Sequence, residues 1–435
     1  METTSLTETI CRDAKGRDWI QDVSGTLPAG TAVLNVPPHP LYFDTAASTP
    51  IAPEVLARMV EYLQGVDANP ASTVHLPGQA AAAVVSAARA EIAAELGCEL
   101  DEVIFTSGAT EANNLALQGV ARAHADQGRH LIVSAIEHQS VLACCAALER
   151  DGFEITRLPP NRAGWIEPET VRQAVRPDTL LISIQHVNNE TGVRQPIDEI
   201  AALASEVGVL LHVDAAQSAG KFAIDLERTP IDLLALSAHK FHGPKGIGCL
   251  IVRNRRQLRL QPLMYGGGQE FGLRPGTLPT HQIIGLSGAL TVAARRRETD
   301  LAWVAQLKRQ FLEQLAAHLT YRVHGDPARS SPYIVNLSID GIGSDALINQ
   351  LAPDLAIASG SACASGTVEP SAVLRTMGVE GDALNGAVRV SFSRYQTVDE
   401  VSAAVNRIVA AVQRMRALTS TAMQTTTPQS PRRSS

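Results

Sequence analysis

Apolar residues fall in short unbroken runs over the first part of the chain and as one-sided stripes over the last part. Runs at 103–106, 130–134, 180–185, 209–213, 233–236 and 249–252 are short enough to read as strands buried on both faces. Between them, 79–96, 111–125, 140–149 and 197–206 carry apolar positions at helical spacing. Strands alternating with helices predict a mostly parallel sheet covered on both sides. Further on, Leu301, Val304, Leu307, Phe311, Leu315 and Leu319 recur at intervals of three or four, one apolar face of an amphipathic helix. Strand candidates at 333–337 and 387–392 and a closing helix from Val398 to Met415 complete a second unit.

The predicted fold class is therefore α/β. A large domain over 41–295 has a mostly parallel sheet between helices, and a smaller α+β C-terminal domain covers 296–418. Within the first, 41–48 is expected to pack on the smaller domain. Residues 1–40, ending in Pro37-Pro38-His39-Pro40, read as an irregular extension or partner-binding arm. Residues 419–435, mostly Thr, Ser, Gln, Pro and Arg, read as a disordered tail.

Composition narrows the function classes. A net charge of −7 over 435 residues gives no broad cationic face, so direct nucleic-acid binding is not expected. The local clusters Arg253/Arg255/Arg256/Arg259 and Arg295-Arg296-Arg297 read as solvated faces. Six cysteines without a C-x-x-C pair fit free thiols in a reducing compartment and point to no metal site. The start, METTSLTETICRDAKGRDW, lacks the apolar core of a secretory signal, and no run of about 18 apolar residues occurs. A cytoplasmic location is the expectation, with no membrane partner.

Candidate chemistry sits at the ends of the apolar runs. Lys240 closes Ser237-Ala-His-Lys240, and Asp214 closes the run before Ala215-Ala-Gln217. Desolvation at a strand end lowers a lysine's pKa and favours imine formation with a carbonyl, while a buried carboxylate needs a cationic partner. A pyridoxal 5'-phosphate (PLP) site uses that pair, the lysine for a Schiff base and the carboxylate for the pyridinium nitrogen. Each residue alone has a plainer reading as a strand-end charge. Gln217 could bond the ring oxygen, and Ser237 and His239 suit phosphate contacts. Thr106-Ser-Gly-Ala-Thr110-Glu111 follows a strand and opens a helix; its backbone N–H groups and the Ser107 or Thr110 hydroxyl could hold a phosphate, although a simple N-cap fits the same residues. His138 could stack on a ring and relay a proton, or cap a helix. Asn188-Asn189-Glu190 reads as a turn with an amide at a ring or substrate carboxylate. Arg389, a charge inside an apolar strand, needs either a substrate carboxylate or an internal partner. Cys363 lies in Ala358-Ser-Gly-Ser-Ala-Cys-Ala-Ser-Gly-Thr367, where every neighbour is small, the setting of an accessible thiolate nucleophile. The other five thiols have helical, strand or arm contexts and read as structural.

Taken in order, the motifs resemble the cysteine desulfurase family, in the class-V aminotransferase group of fold-type-I PLP enzymes. They are Phe43-Asp-Thr-Ala-Ala-Ser-Thr-Pro50, Asn69-Pro-Ala-Ser72 with His75, the 106–111 segment, Glu137-His138, His186-Val-Asn-Asn-Glu190, the 212–217 and 237–240 segments, Gly266-Gly-Gly-Gln-Glu270, Arg274-Pro-Gly-Thr277, the 359–363 segment and Arg389. The 359–371 stretch is similar to the subgroup with a long mobile cysteine loop. The resemblance implies PLP on Lys240, ring contacts from His138, Asp214, Gln217 and Asn189, and phosphate contacts from Ala109, Thr110, Ser237 and His239. It further implies Thr277 reaching the partner subunit's phosphate in a homodimer, and substrate contacts from Arg389, Asn189 and Asn69. The implied catalytic set is Lys240, His138 and Cys363. L-cysteine would become L-alanine, with sulfur held on Cys363 as a persulfide for an acceptor protein serving iron–sulfur assembly, thionucleosides or DNA phosphorothioation. Selenocysteine lyase, another class-V PLP enzyme, or a non-catalytic sulfur carrier are the alternatives. The N-terminal extension and the polar tail depart from the family pattern.

Overall fold

The computed structural model describes residues 10–12, 18–20, 40–65, 68–359 and 370–425. Cys363 and its immediate neighbours lie outside the described residues.

Seven strands form the main sheet, in the spatial order Val103–Thr106, Gly248–Val252, Leu233–Ser237, Leu210–Asp214, Thr179–Ser183, His130–Ser134 and Glu154–Leu158. Only Gly248–Val252 runs antiparallel to its neighbours. Val103–Thr106, His130–Ser134, Leu233–Ser237 and Gly248–Val252 are buried along their whole length, which is why they appear in the sequence as unbroken apolar runs rather than alternating ones. Glu154–Leu158 was missed in the sequence: it is an edge strand with exposed polar positions, so it carries little apolar signal. Helices cover both faces. Leu76–Leu96 and Ile197–Val207 lie in one apolar core with Phe105, Ile182 and Leu236, whereas Ala109–Ala123 and Gln139–Arg150 lie in another with Ile104, Leu131 and Leu250.

A second sheet of four antiparallel strands has the order Tyr321–His324, Ile334–Ile339, Ala387–Ser391 and Ala358–Ser359. The helix over 301–319 is the second half of one 37-residue helix, Thr280–Ala316. Its first half, with Ile283, Leu286 and Leu290, is buried in the large core; its second half, with Val304, Leu307 and Phe311, is buried under the four-stranded sheet. Position 295 thus falls inside a continuous helix. Leu41–Tyr42 pairs in parallel with Leu355–Ala356, and Phe43 packs edge-on against Phe392 at 5.8 Å.

Two readings of the termini are corrected. The extension holds a short antiparallel pair, Ile10–Arg12 with Asp18–Ile20. The closing helix runs Val398–Thr425, past Leu418 into the stretch read as a disordered tail; once a packed helix exists, each added residue needs only propagation, which Thr, Ala and Met tolerate. The basic clusters are also not merely solvated faces. Arg255 and Arg256 meet Asp101 at 2.9 and 2.8 Å, and Arg297 meets Glu95 at 2.5 Å. Among the described residues, no helix is long and apolar enough to cross a membrane, and no group of His, Cys, Asp or Glu is arranged to hold a metal.

Candidate active site

The carboxyl ends of Val103–Thr106, His130–Ser134, Thr179–Ser183, Leu210–Asp214 and Leu233–Ser237, or the segments just after them, border one cavity of ≈ 520 Å³. This is where open α/β sheets place ligands. Ala109, Thr110, His138, Asn189, Asp214, Gln217, Ser237, His239, Lys240 and Arg389 all line it. Six separate stretches of the sequence therefore converge on one space.

Each wall follows from a local element. Helix Ala109–Ala123 begins after Gly108 with no side-chain cap, so its first N–H groups are left for a ligand at the cavity wall. Asp214 ends its strand and is 6% exposed. Its Oδ2 accepts from Asn113 Nδ2 at 2.7 Å and its Oδ1 from Ala216 N–H at 2.9 Å. Both donors are neutral groups. His138 both caps helix Gln139–Arg150 and lines the cavity. Its Nδ1 accepts from Ser140 N–H at 3.1 Å, which leaves Nε2 to carry the proton of the neutral ring. Burial holds His138 below its ordinary pKa, with Asp214 opposing and Lys240 reinforcing. His239 is pushed down to about 4, by burial first and then by Lys240, Lys245 and Lys221. At neutral pH it is an uncharged donor or acceptor, 3.3 Å from Ser48 Oγ.

Lys240 Nζ donates to the carbonyls of Ala46 and Ala47 at 2.6 and 2.9 Å. Gln217 Nε2 donates to the same Ala46 oxygen at 2.8 Å. Arg389 is 3% exposed and has found internal partners, Asp44 Oδ1 at 2.7 Å and Asn189 O at 2.8 Å. Its internal salt bridge is thus present, and the guanidinium still faces the cavity. Asn188, not Asn189, builds the turn: its Oδ1 accepts from Glu190 N–H and Thr191 N–H.

Three sequence candidates are not at this cavity. Asn69 is exposed and its Oδ1 accepts from Ala71 N–H at 2.9 Å, a local turn. His75 is exposed and caps helix Leu76–Leu96. Thr277 is exposed on the segment after Gly266. Cys363 falls outside the described residues. Of the other cysteines, Cys144, Cys145 and Cys249 are buried, and burial pushes Cys98 and Cys145 up to about 12. Sequence reading missed Asn113, whose signal was an asparagine inside an otherwise good helix, and Lys221, which lies four residues past Gln217.

The model for the family described as "Aminotransferase class-V" matches residues 41–404. The cysteine desulfurase IscS of Vibrio vulnificus (strain CMCP6) is 43% identical over 379 residues, 87% of this chain and 94% of that protein. The chain belongs to the cysteine desulfurase branch of the class-V aminotransferase family. Its enzymes depend on PLP, and so does this one. Among solved structures, a NifS-like protein superposes with a TM-score of 0.81 at 31% identity, covering 86% of this chain and all of that one. SspA, solved in complex with cysteine, gives 0.73 at 39% identity, covering 82% of this chain and 99% of that one.

The cavity fits PLP on its own chemistry. An uncapped helix start suits a phosphate, a buried carboxylate with only neutral donors suits a pyridinium nitrogen, and an amine stands beside both.

Proposed function

We propose that this cavity converts L-cysteine to L-alanine and passes the sulfur to Cys363 as a persulfide. The convergence of Lys240, Asp214, His138, Gln217 and Arg389 on one cavity supports the reading most strongly. When bound, PLP supplies the electron sink that labilises the Cα proton and the C–S bond of the amino acid. Lys240 would hold the coenzyme, and its Nζ would serve as the base for the Cα proton. Asp214 would face the ring nitrogen, with Asn113 and Ala216 fixing its direction. His138 would lie against the ring and offer an Nε2–H toward the substrate. Ala109, Thr110, Ser237 and His239 would hold the phosphate, and Gln217 and Asn189 would meet ring or substrate oxygens. Arg389, already held by Asp44, orients the substrate carboxylate.

Sulfur leaves when Cys363 Sγ attacks it. One C–S bond breaks and one S–S bond forms. L-cysteine plus a thiol gives L-alanine plus a persulfide, so no external oxidant is needed. The acceptor of that sulfur is a separate protein. We further propose a homodimer in which Thr277 serves the partner's phosphate, since Met264, Tyr265 and Phe271 on the same segment are exposed apolar side chains. A cytoplasmic location accompanies the free thiols. Asn69 is kept as a substrate contact only for a rearranged loop.

Cys363→Ala should keep the visible colour of the bound coenzyme and lose sulfide production from cysteine, whereas Lys240→Ala should lose the lysine-bound chromophore. Sulfide release at the normal rate from Cys363→Ala would remove Cys363 as the nucleophile. Turnover of selenocysteine alone would favour the lyase reading.

A further inference from the structure

Lys221 is a buried lysine that the mechanism above does not use. It is 7% exposed, and among the described residues no carboxylate lies within ion-pairing distance of it. Its Nζ donates to Gln217 Oε1 at 3.0 Å and lies 5.4 Å from the centre of the Tyr333 ring. That bond decides which end of the Gln217 amide is which. With Oε1 committed to Lys221, Nε2 points the other way, to the Ala46 carbonyl that also receives Lys240 Nζ. The two lysines are thus connected through one amide and one carbonyl. Both also line a single small enclosed space with Thr45, Thr49, His242, Tyr333, Asp300 and Arg394.

A buried ammonium without a counter-ion is costly, and an apolar side chain of the same length would fill the space more cheaply. Simple packing therefore does not account for Lys221. The groups around it are of mixed charge. Lys240 and Arg389 are cationic neighbours, Asp300 and Arg394 pair with each other at 2.8 Å, and burial keeps His242 neutral, at about 3. We infer that Lys221 is a positioning residue for the Schiff-base end of the site: it orients the Gln217 amide and sets a second positive charge beside Lys240. The inference rests on the assignments of Lys240 and Gln217 made above. A cation beside an amine disfavours a proton on that amine, and a donor turned toward a ring oxygen acts in the same direction. Burial, then Lys240 and Arg389, bring Lys221 itself to about 7, so its charge is present below neutrality and fades above it.

The test is a pH titration of the visible band of the coenzyme-loaded enzyme, with no substrate present. Lys221→Met should move the midpoint upward by about one unit. Lys221→Gln keeps a donor for Gln217 Oε1 without a charge and should also raise it; it serves equally if the Met variant does not fold. Lys221→Arg, charged at every pH, should not raise it. Lys308→Met removes another buried lysine, one bonded to the Ser331 and Ile334 carbonyls, and should leave the midpoint in place. A midpoint within about 0.2 units of the wild type in both Lys221→Met and Lys221→Gln would overturn the inference. A wild-type protein with no visible band would instead overturn the underlying reading of Lys240.

Discussion

Glu190 follows the cavity asparagine Asn189 and is nearly enclosed, 8% exposed. Its Oε2 accepts from Ser371 Oγ at 2.5 Å, and the same hydroxyl receives Leu374 N–H at 3.0 Å. One carboxyl therefore ties the turn beside the cavity to the helix Ala372–Thr376, just beyond the segment that contains Cys363. Burial raises its pKa from 4.5 to about 7, with the Ser371 bond and Arg389 pulling the other way. The folded protein then binds the proton more tightly than the unfolded chain does. Stability from this group is fully present below pH 4.5 and is lost as the pH rises through about 7. The whole interval is worth about 3 kcal/mol, and the part between pH 5.5 and 8.5 about 2 kcal/mol. Glu190→Gln keeps an acceptor for Ser371 and removes the titration. Urea unfolding of both proteins across that range should show the wild type losing about 2 kcal/mol more than the variant. Parallel stability profiles would refute the reasoning, because they would mean that Glu190 titrates alike in both states.

Other variants probe the walls of the site. Asn113→Leu removes the 2.7 Å donor to Asp214 Oδ2 and should weaken coenzyme retention about tenfold, measured by equilibrium dialysis of PLP. Arg389→Lys replaces a guanidinium that spans Asp44 and Asn189 with a point charge, and should raise KM for cysteine about tenfold or more in steady-state assays. Gly248→Ala would bring a Cβ to 2.3 Å from Leu236 O and 2.7 Å from Gly108 Cα, both backbone atoms. It should cost about 2 kcal/mol in denaturant unfolding and disturb the helix start that receives the phosphate.

How much of this was legible follows from the kind of signal each part leaves. Strands such as Leu233–Ser237, buried on both faces, announce themselves as apolar runs, and Asp214 and Lys240 stand out because they close such runs. The edge strand Glu154–Leu158 has no such run to show. The junction inside Thr280–Ala316 is hidden because the two halves of one continuous helix are buried in two different apolar cores, the first with Pro53–Gly65 and Leu76–Leu96 and the second with Val398–Thr425. Asn113, Lys221 and Asp44 were missed for a different reason. Each acts through a residue far away in sequence, Asp214, Gln217 and Arg389 respectively, and only the fold brings the partners together. The salt bridge from Arg389 to Asp44 shows the same limit: a buried arginine signals the need for an acceptor without saying which one.

The most direct measurement is a single turnover of the coenzyme-loaded protein with L-cysteine and no reducing thiol, followed by mass spectrometry of the chain and quantitation of alanine. The account predicts one alanine released for each added sulfur atom, with that atom on the peptide containing Cys363. Alanine formed without added sulfur there, or sulfur carried on another cysteine, would contradict it.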